Sequence, residues 1–479
     1  MRNLTLLTDL YQLTMMYGYF KQNKHRKKYV FDLFYRRQTG ESTYCIMAGL
    51  EQAIEYIQNL HFEDEDIEYL RSLHLFDEAF LAELTQLRFT GEIYAMPEGT
   101  IIFPSEPIIR VFAPIFEAQF IETALLNIIN HQTLIATKAS RVVHAADGDE
   151  VLEFGTRRAQ GPDAALYGAR ATVIGGARRT SNVLAGQKFG IPVSGTHAHS
   201  WVISFPSELE AFRAYAQTFP DSCLLLVDTY DTLKSGVPNS ITVFNELKEQ
   251  GHQPLGIRLD SGDLAYLSKK ARRMLDEAGL QDVKICASND LDEGLIRDLK
   301  LQGARIDIWG VGTKMITGGM SPALGGVYKL AAEEENGKLT PKMKLSENIS
   351  KMTLPGYKKV FRLYSRDNHK ALADLIALHE DTIDESKPLR IYHPTEPWKS
   401  QVLERFEVRE MLVPIFQGGK CVYERPTLKQ IVAYAADEMN TLWDEYKRAI
   451  NPQTYKVDLS DSLYDLKQKI LKELSDVRE

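Results

Sequence analysis

The sequence predicts an α/β protein: an irregular (β/α) barrel with an additional α+β domain built from the N- and C-terminal segments. Three observations lead there. In the middle third, short apolar runs alternate with stretches of helical periodicity, which is the pattern of βα units feeding a parallel sheet. Nearly every one of those runs ends in Gly, Asp, Arg, His or Thr, and in a barrel such ends gather on the one face where active sites are built. The flanking parts lack the alternation and mix helices with short strands. A chain of 479 residues is also too long for one small core. The expected organisation is therefore an N-terminal α+β segment over 1–135, the barrel over 136–335, and a C-terminal segment over 336–479 that packs on the first.

Taken in order, a helix is expected over Thr8–Phe20, followed by the basic patch K-H-R-K-K and a strand over Tyr29–Tyr35. Ile93–Ile109, rich in Gly, Pro and β-branched residues, reads as short strands, and a longer helix runs from Phe116 to about Ala136. Barrel strands are predicted at Val142–Ala145, Val151–Phe154, Ala171–Ile174, Ile191–Val193, Leu224–Val227, Leu255–Ile257, Val283–Cys286 and Ile306–Trp309. Helices are expected between them at Asn182–Phe189, Glu208–Thr218, Ile241–Glu249, Leu264–Ala278 and Glu293–Leu301. After Lys329 the polar E-E-E-N-G-K stretch signals a hairpin. Small strands follow at Val360–Tyr364 and Leu389–Tyr392, and Thr427–Lys447 and Leu463–Leu474 read as amphipathic closing helices.

Composition narrows the partners. Hydrophobic residues make up 44% and charged residues 25%, as in an ordinary globular protein and unlike a disordered one. With 57 basic and 65 acidic residues the formal charge is -8, which gives no global reason to bind nucleic acid or an anionic membrane. An anionic substrate would need a local basic pocket. Cys45, Cys223, Cys286 and Cys421 are too scattered for a disulfide framework, so a reducing, cytoplasmic setting is expected. Asp9 interrupts the apolar N-terminal stretch, which does not read as a secretory signal, and no run approaches the roughly 18 apolar residues of a membrane span.

The strand ends carry the chemistry. P-V-S-G-T-H-A-H-S-W, from Pro192 to Trp201, sets His197 and His199 one residue apart. Such a pair allows a metal site, a buried structural histidine, or an acid, base or nucleophile. The metal reading wants further ligands on later strand ends, and His252, His369, His379 and His393 do not stand at such ends. His199 is the sharper candidate for chemistry and His197 for structure. In R-L-D-S-G-D, Arg258 and Asp260 alternate on one strand end and can face one pocket, Arg for a carboxylate or phosphate and Asp for ribose hydroxyls or Mg²⁺. The bland alternative is a salt bridge or helix cap. Phe154 stands beside Arg157 and Arg158, a pairing that marks an anion site. Gly310–Lys314, G-V-G-T-K, follows the last apolar run, where barrels hold phosphate; no Walker loop occurs.

With these residues in view, the chain resembles the nicotinate phosphoribosyltransferase family. The resemblance covers most of the chain and rests on L-L-T-D-L-Y-Q-L-T-M at Leu6–Met15, E-F-G-T-R-R-A-Q-G-P-D at Glu153–Asp163, and S-N-V-L-A-G at Ser181–Gly186. G-T-H-A-H-S, R-L-D-S-G-D, G-V-G-T and L-G-G-V-Y-K-L at Leu324–Leu330 complete it. It implies transfer of phosphoribosyl from phosphoribosyl pyrophosphate to the ring nitrogen of nicotinate, coupled to ATP through a phosphohistidine at His199, a reaction formally of the ligase class. By the same resemblance Tyr11 is lent across a homodimer interface to cover the pyridine ring, with Phe154 on its other face and Asp9 among the substrate-binding residues. Arg157, Thr196 and Arg258 match positions that hold nicotinate's carboxylate or neighbouring groups. Asp260, Asp290, Gly312 and Thr313 match positions for ribose and the 5′-phosphate, with Mg²⁺ carried on the pyrophosphate and Asp260 its one candidate protein contact. The alternatives are a nicotinamide or quinolinate phosphoribosyltransferase and, in another class, a metal-dependent hydrolase using H-x-H. The I-G-G-A-R-R stretch suits an acid substrate better than an amide.

Overall fold

A computed structural model describes residues 3–36, 43–346, 351–396 and 398–476. The chain forms two compact units, one spanning Leu134–Pro322 and the other combining Met1–Thr133 with Ala323–Glu479.

The inserted unit is a curled parallel sheet of six strands: β1 (Glu150–Glu153), β2 (Arg179–Thr180), β3 (Leu224–Leu226), β4 (Gly256–Leu259), β5 (Lys284–Ala287) and β6 (Ile308–Val311). Their spatial order is β2-β1-β6-β5-β4-β3, every neighbour parallel. A parallel bridge between Thr180 and Val193 adds a seventh position beside β2. Alternate residues of the strands serve two cores. Val151, Leu225, Ile257, Leu259, Ile285 and Trp309 pack outward against the surrounding helices, while Leu152, Leu224, Cys286 and Ile308 form a smaller apolar cluster.

The helices of this unit start on side-chain caps. Asn182 accepts from Ala185 N, Ser207 from Glu210 N, Asp263 from Tyr266 N and Asp292 from Leu295 N. Each cap satisfies an otherwise free backbone donor and contributes about 1 kcal/mol. Asp263 thus takes the bland role considered for the R-L-D-S-G-D cluster.

Two expected strands are helical. Val142–Ala145 closes the 25-residue helix Glu122–Ala146, and Ala171–Ile174 ends the helix Pro162–Ile174. Neither stretch is cut off from its helix by a proline or a turn, so the helix continues through a short, mostly apolar run that periodicity cannot distinguish from a strand. The strand of that region is the two-residue β2 downstream.

The other unit contains a seven-stranded antiparallel sheet. Its order is Lys338–Pro341, Gly326–Glu335, Lys28–Tyr35, Ile109–Pro114, Glu92–Ala95, Val413–Gln417 and Lys420–Cys421. Gly326–Glu335, read from the sequence as the end of the barrel segment, pairs here with Lys28–Tyr35. It joins Lys338–Pro341 through Asn336 and Gly337 at φ of 52° and 76°, the left-handed pair a two-residue hairpin requires. A six-stranded sheet built from 358–459 holds a buried charge network. Arg362, with no exposed surface, donates to both Asp374 oxygens at 2.8 and 2.7 Å, to Glu438 at 3.0 Å and to the Ile101 carbonyl at 2.7 Å. Among the described residues no helix is long and apolar enough to cross a membrane.

Candidate active site

The period of two along the parallel strands fixes what the carboxyl ends present. Leu152 and Phe154 share a face, as do Arg258 and Asp260, Cys286 and Ser288, and Ile308, Gly310 and Gly312. The lower member of three of these rows belongs to the apolar cluster, and the upper members line a cavity of about 640 Å³. Phe154, Arg157, Thr196, His199, Arg258, Asp260, Asp290, Gly312 and Thr313, all expected from the sequence, meet around it. Asp9 and Tyr11 belong to the other unit, where the helix Leu10–Lys21 begins. Tyr11 is 48% exposed there, and Asp9 accepts from the Thr123 hydroxyl at 2.9 Å.

His199 has two neighbours. Its Nδ1 lies 3.2 Å from Thr229 Oγ1 and its Nε2 lies 3.7 Å from Asp260 Oδ2. Asp260 is itself held, its Oδ1 accepting the Ser288 hydroxyl and its backbone N–H donating to Asp228 at 3.1 Å. A cavity-facing imidazole with its second nitrogen tethered is suited to receive or pass a phosphoryl group or proton.

Among the described residues, Arg258 Nε and Thr156 Oγ1 are buried in the cavity wall without a hydrogen-bond partner. Buried donors of this kind seek an acceptor, and with the exposed Arg157 and Arg158 they make the cavity cationic, fit for carboxylate or phosphate. Asn289 and Asp290, also in the lining, are consecutive non-glycine residues at φ of 96° and 44°. Such conformations cost about 1–3 kcal/mol each and gather at binding sites.

The aromatic wall depends on a missing side chain. A Cβ on Gly310 would stand 2.6 Å from Phe154 Cδ2 and Cε2, so only glycine lets the ring lie there. Phe154 N is anchored to Val311 O at 2.8 Å. Beneath it, buried Glu153 accepts from Gly155 N–H and the Thr180 hydroxyl, tying the ends of β1 and β2 together. Burial raises its carboxyl above the usual carboxylate range.

His197 serves structure. It is 7% exposed, packs edge-on to Tyr215 at 4.7 Å, and its Nε2 accepts the Leu226 N–H at 3.2 Å. Burial pushes its imidazole down to about 4, so the ring is neutral at physiological pH. With Nε2 occupied by Leu226 and the ring buried, it is not disposed to share a metal with His199. Among the described residues no group of three or more His, Cys, Asp or Glu converges to hold one. The Thr196 hydroxyl is likewise engaged, donating to Leu224 O at 2.5 Å.

Several positions that line the cavity or touch its lining were not singled out from the sequence: Thr156, Ser181, Asp228, Thr229, Ser288 and Asn289. All stand at or just beyond the strand ends already marked as polar, and E-F-G-T-R-R, V-D-T-Y-D and A-S-N-D were the signals that contained most of them.

Comparison with known proteins agrees with this geometry. Family models of nicotinate phosphoribosyltransferase match three stretches: its N-terminal domain over residues 6–130, the family model over 150–341 and its C-terminal domain over 357–467. The chain is 51% identical to nicotinate phosphoribosyltransferase from Bacillus subtilis, covering 98% of this chain and 96% of that one. It is 34% identical to the Homo sapiens protein of that name, covering 96% and 95%. A solved structure of human nicotinic acid phosphoribosyltransferase superposes with a TM-score of 0.86 at 32% identity, over 96% of this chain and 99% of that one. Nicotinate-nucleotide pyrophosphorylase from Pyrococcus furiosus, at 22% identity and a TM-score of 0.71, shares the fold over 92% and 96% of the two chains. The chain belongs to the nicotinate phosphoribosyltransferase family.

Proposed function

We infer that the chain transfers phosphoribosyl from phosphoribosyl pyrophosphate to the ring nitrogen of nicotinate, in NAD biosynthesis or salvage, with ATP hydrolysis coupled through phosphorylation of His199. The observation that carries it is the cavity in which His199, 3.7 Å from Asp260, meets Phe154 and the guanidinium groups of Arg157, Arg158 and Arg258. Arg157 and Arg258 pair with the nicotinate carboxylate, the partnerless Arg258 Nε being the donor best placed for it, and Thr196 contributes the adjoining wall. Phe154 stacks on the pyridine ring. Asp260 and Asp290 hold ribose hydroxyls, and Gly312 and Thr313 hold the 5′-phosphate.

The pyridine nitrogen attacks C1 of the ribose as the C1–O bond to pyrophosphate breaks. Charge develops on the sugar as an oxocarbenium-like centre, so positioning and fixed charges supply most of the rate. Mg²⁺ held through the pyrophosphate, with Asp260 as its protein ligand, would neutralise the leaving group. His199 takes the terminal phosphoryl of ATP, releasing ADP, and gives it up to water as phosphate.

Completion of the site by a second copy is part of the same reading. Leu10, Tyr11 and Met15 are exposed along the helix that carries Tyr11, with Leu7 exposed just before it, an apolar face suited to a homodimer contact that lends Tyr11 and Asp9 to the partner's cavity. A cytoplasmic setting is supported by four cysteines that are all free thiols.

The decisive experiment compares nicotinate, nicotinamide and quinolinate with and without ATP, in the wild type and His199→Ala. The variant is expected to lose ATP hydrolysis and keep slow ATP-independent transfer to nicotinate. Normal ATP hydrolysis by the variant would overturn the phosphohistidine, and stoichiometric zinc in the purified protein would favour the hydrolase class instead.

A further inference from the structure

The barrel has one edge that no ladder closes. In a parallel strand alternate residues turn both backbone groups the same way. Leu225 bonds toward β4, so Leu224 O and Leu226 N–H point out on the other side of β3, toward residues 196 and 197. Among the described residues no backbone hydrogen bond joins β3 to the segment 191–199. Two side chains fill the gap: the Thr196 hydroxyl donates to Leu224 O, and His197 Nε2 accepts from Leu226 N at 3.2 Å. The segment's backbone is attached on the opposite side, through Thr180 and Val193.

This asymmetry bears on His199. The residues that touch it, Thr229 and Asp260, follow β3 and β4 and so lie across the open edge. We propose that His197 is the latch of the barrel, a positioning residue that accepts the Leu226 N–H and so holds His199 against Thr229 and Asp260. A latch needs an acceptor at that nitrogen. A core histidine needs only an aromatic ring, which packs against Phe212 and Tyr215. The two roles are therefore separable by substitution.

The inference rests on His199 as the phosphoryl acceptor for its effect on turnover, and the test keeps the two apart. His197→Phe keeps the ring and removes the acceptor; His197→Gln keeps an acceptor. Hydrogen exchange of the Leu226 amide should quicken about tenfold in the Phe variant, the weight of one lost hydrogen bond, and return toward wild type in the Gln variant. Carbethoxylation of His199 by diethyl pyrocarbonate, followed by peptide mass spectrometry across pH, should shift in the Phe variant and recover with Gln. The ATP-stimulated part of the rate should fall about tenfold in the Phe variant, with ATP-independent transfer within about twofold of wild type. Unchanged Leu226 exchange and unchanged His199 reactivity in the Phe variant would overturn the latch, as would equal defects in Phe and Gln. If the wild type forms no phosphohistidine, that reading fails by itself, while amide exchange and His199 reactivity still decide the latch.

Discussion

Gly310→Ala tests the aromatic wall. The added Cβ would fall 2.6 Å from two ring carbons of Phe154. Carbon atoms in contact sit about 3.5–4.0 Å apart, so the ring must retreat by about 1 Å. Its backbone cannot share the movement, because Phe154 N is bonded to Val311 O at 2.8 Å. Displacements of this size at a substrate-orienting group cost up to about a hundredfold in rate, and overpacking a filled site costs about 1–3 kcal/mol of stability. The expected result is a ten- to hundredfold loss in kcat/KM for nicotinate, about 1.4–2.8 kcal/mol of transition-state stabilisation, in steady-state assays with phosphoribosyl pyrophosphate saturating. In a Phe154→Ala background the new methyl meets only the Ala287 carbonyl oxygen at 3.5 Å, an ordinary contact, so Gly310→Ala should then add less than about 0.5 kcal/mol. An unchanged kcat/KM, or an equal loss in both backgrounds, would refute the claim that Gly310 exists to seat the ring.

His197 should leave a mark on acid stability. Its folded value of about 4 lies below the ordinary 6.5, so protons favour the unfolded chain. Its contribution is complete above about pH 6.5 and is lost as pH falls toward 4, by roughly 3 kcal/mol. Over this window the wild type should lose about that amount of urea stability relative to His197→Phe; a pH-independent difference would count against a buried neutral imidazole. In the other unit, Arg362→Met leaves buried Asp374 without a cation, while Glu438 keeps Arg409 at 2.7 Å, and should cost about 3–5 kcal/mol by denaturant unfolding. A loss under 1 kcal/mol would mean that the Asp374 carboxyl is otherwise satisfied.

Much of the barrel was legible because a buried parallel strand is a short apolar run closed by a polar end. Leu224–Val227, Leu255–Ile257 and Val283–Cys286 overlap β3, β4 and β5. The same rule misread Val142–Ala145 and Ala171–Ile174, since a mostly apolar four-residue stretch inside a longer helix looks like a strand, and it passed over β2, whose two residues, Arg and Thr, are polar. In the site, Arg258 and Asp260 could be paired from their spacing alone. Thr229 could not, because its importance lies in a 3.2 Å contact with a residue thirty positions earlier. The latch was invisible for a related reason: His197 closes a sheet edge, and only the assembled barrel shows which edge lacks a partner.

The seven-stranded sheet sets a timetable for synthesis. Lys28–Tyr35 lies near its centre, between Ile109–Pro114 and Gly326–Glu335. The first partner leaves the ribosome within a hundred residues, the second only after nearly three hundred. At about 5–20 residues per second, one edge of that apolar strand stands open for roughly 15–60 s, while the whole inserted barrel is made and can fold. During that interval the inserted unit can fold while the sheet is still half built and in need of protection. A slow codon stretch or a chaperone acting between residues 134 and 322 would guard the sheet, not the active site.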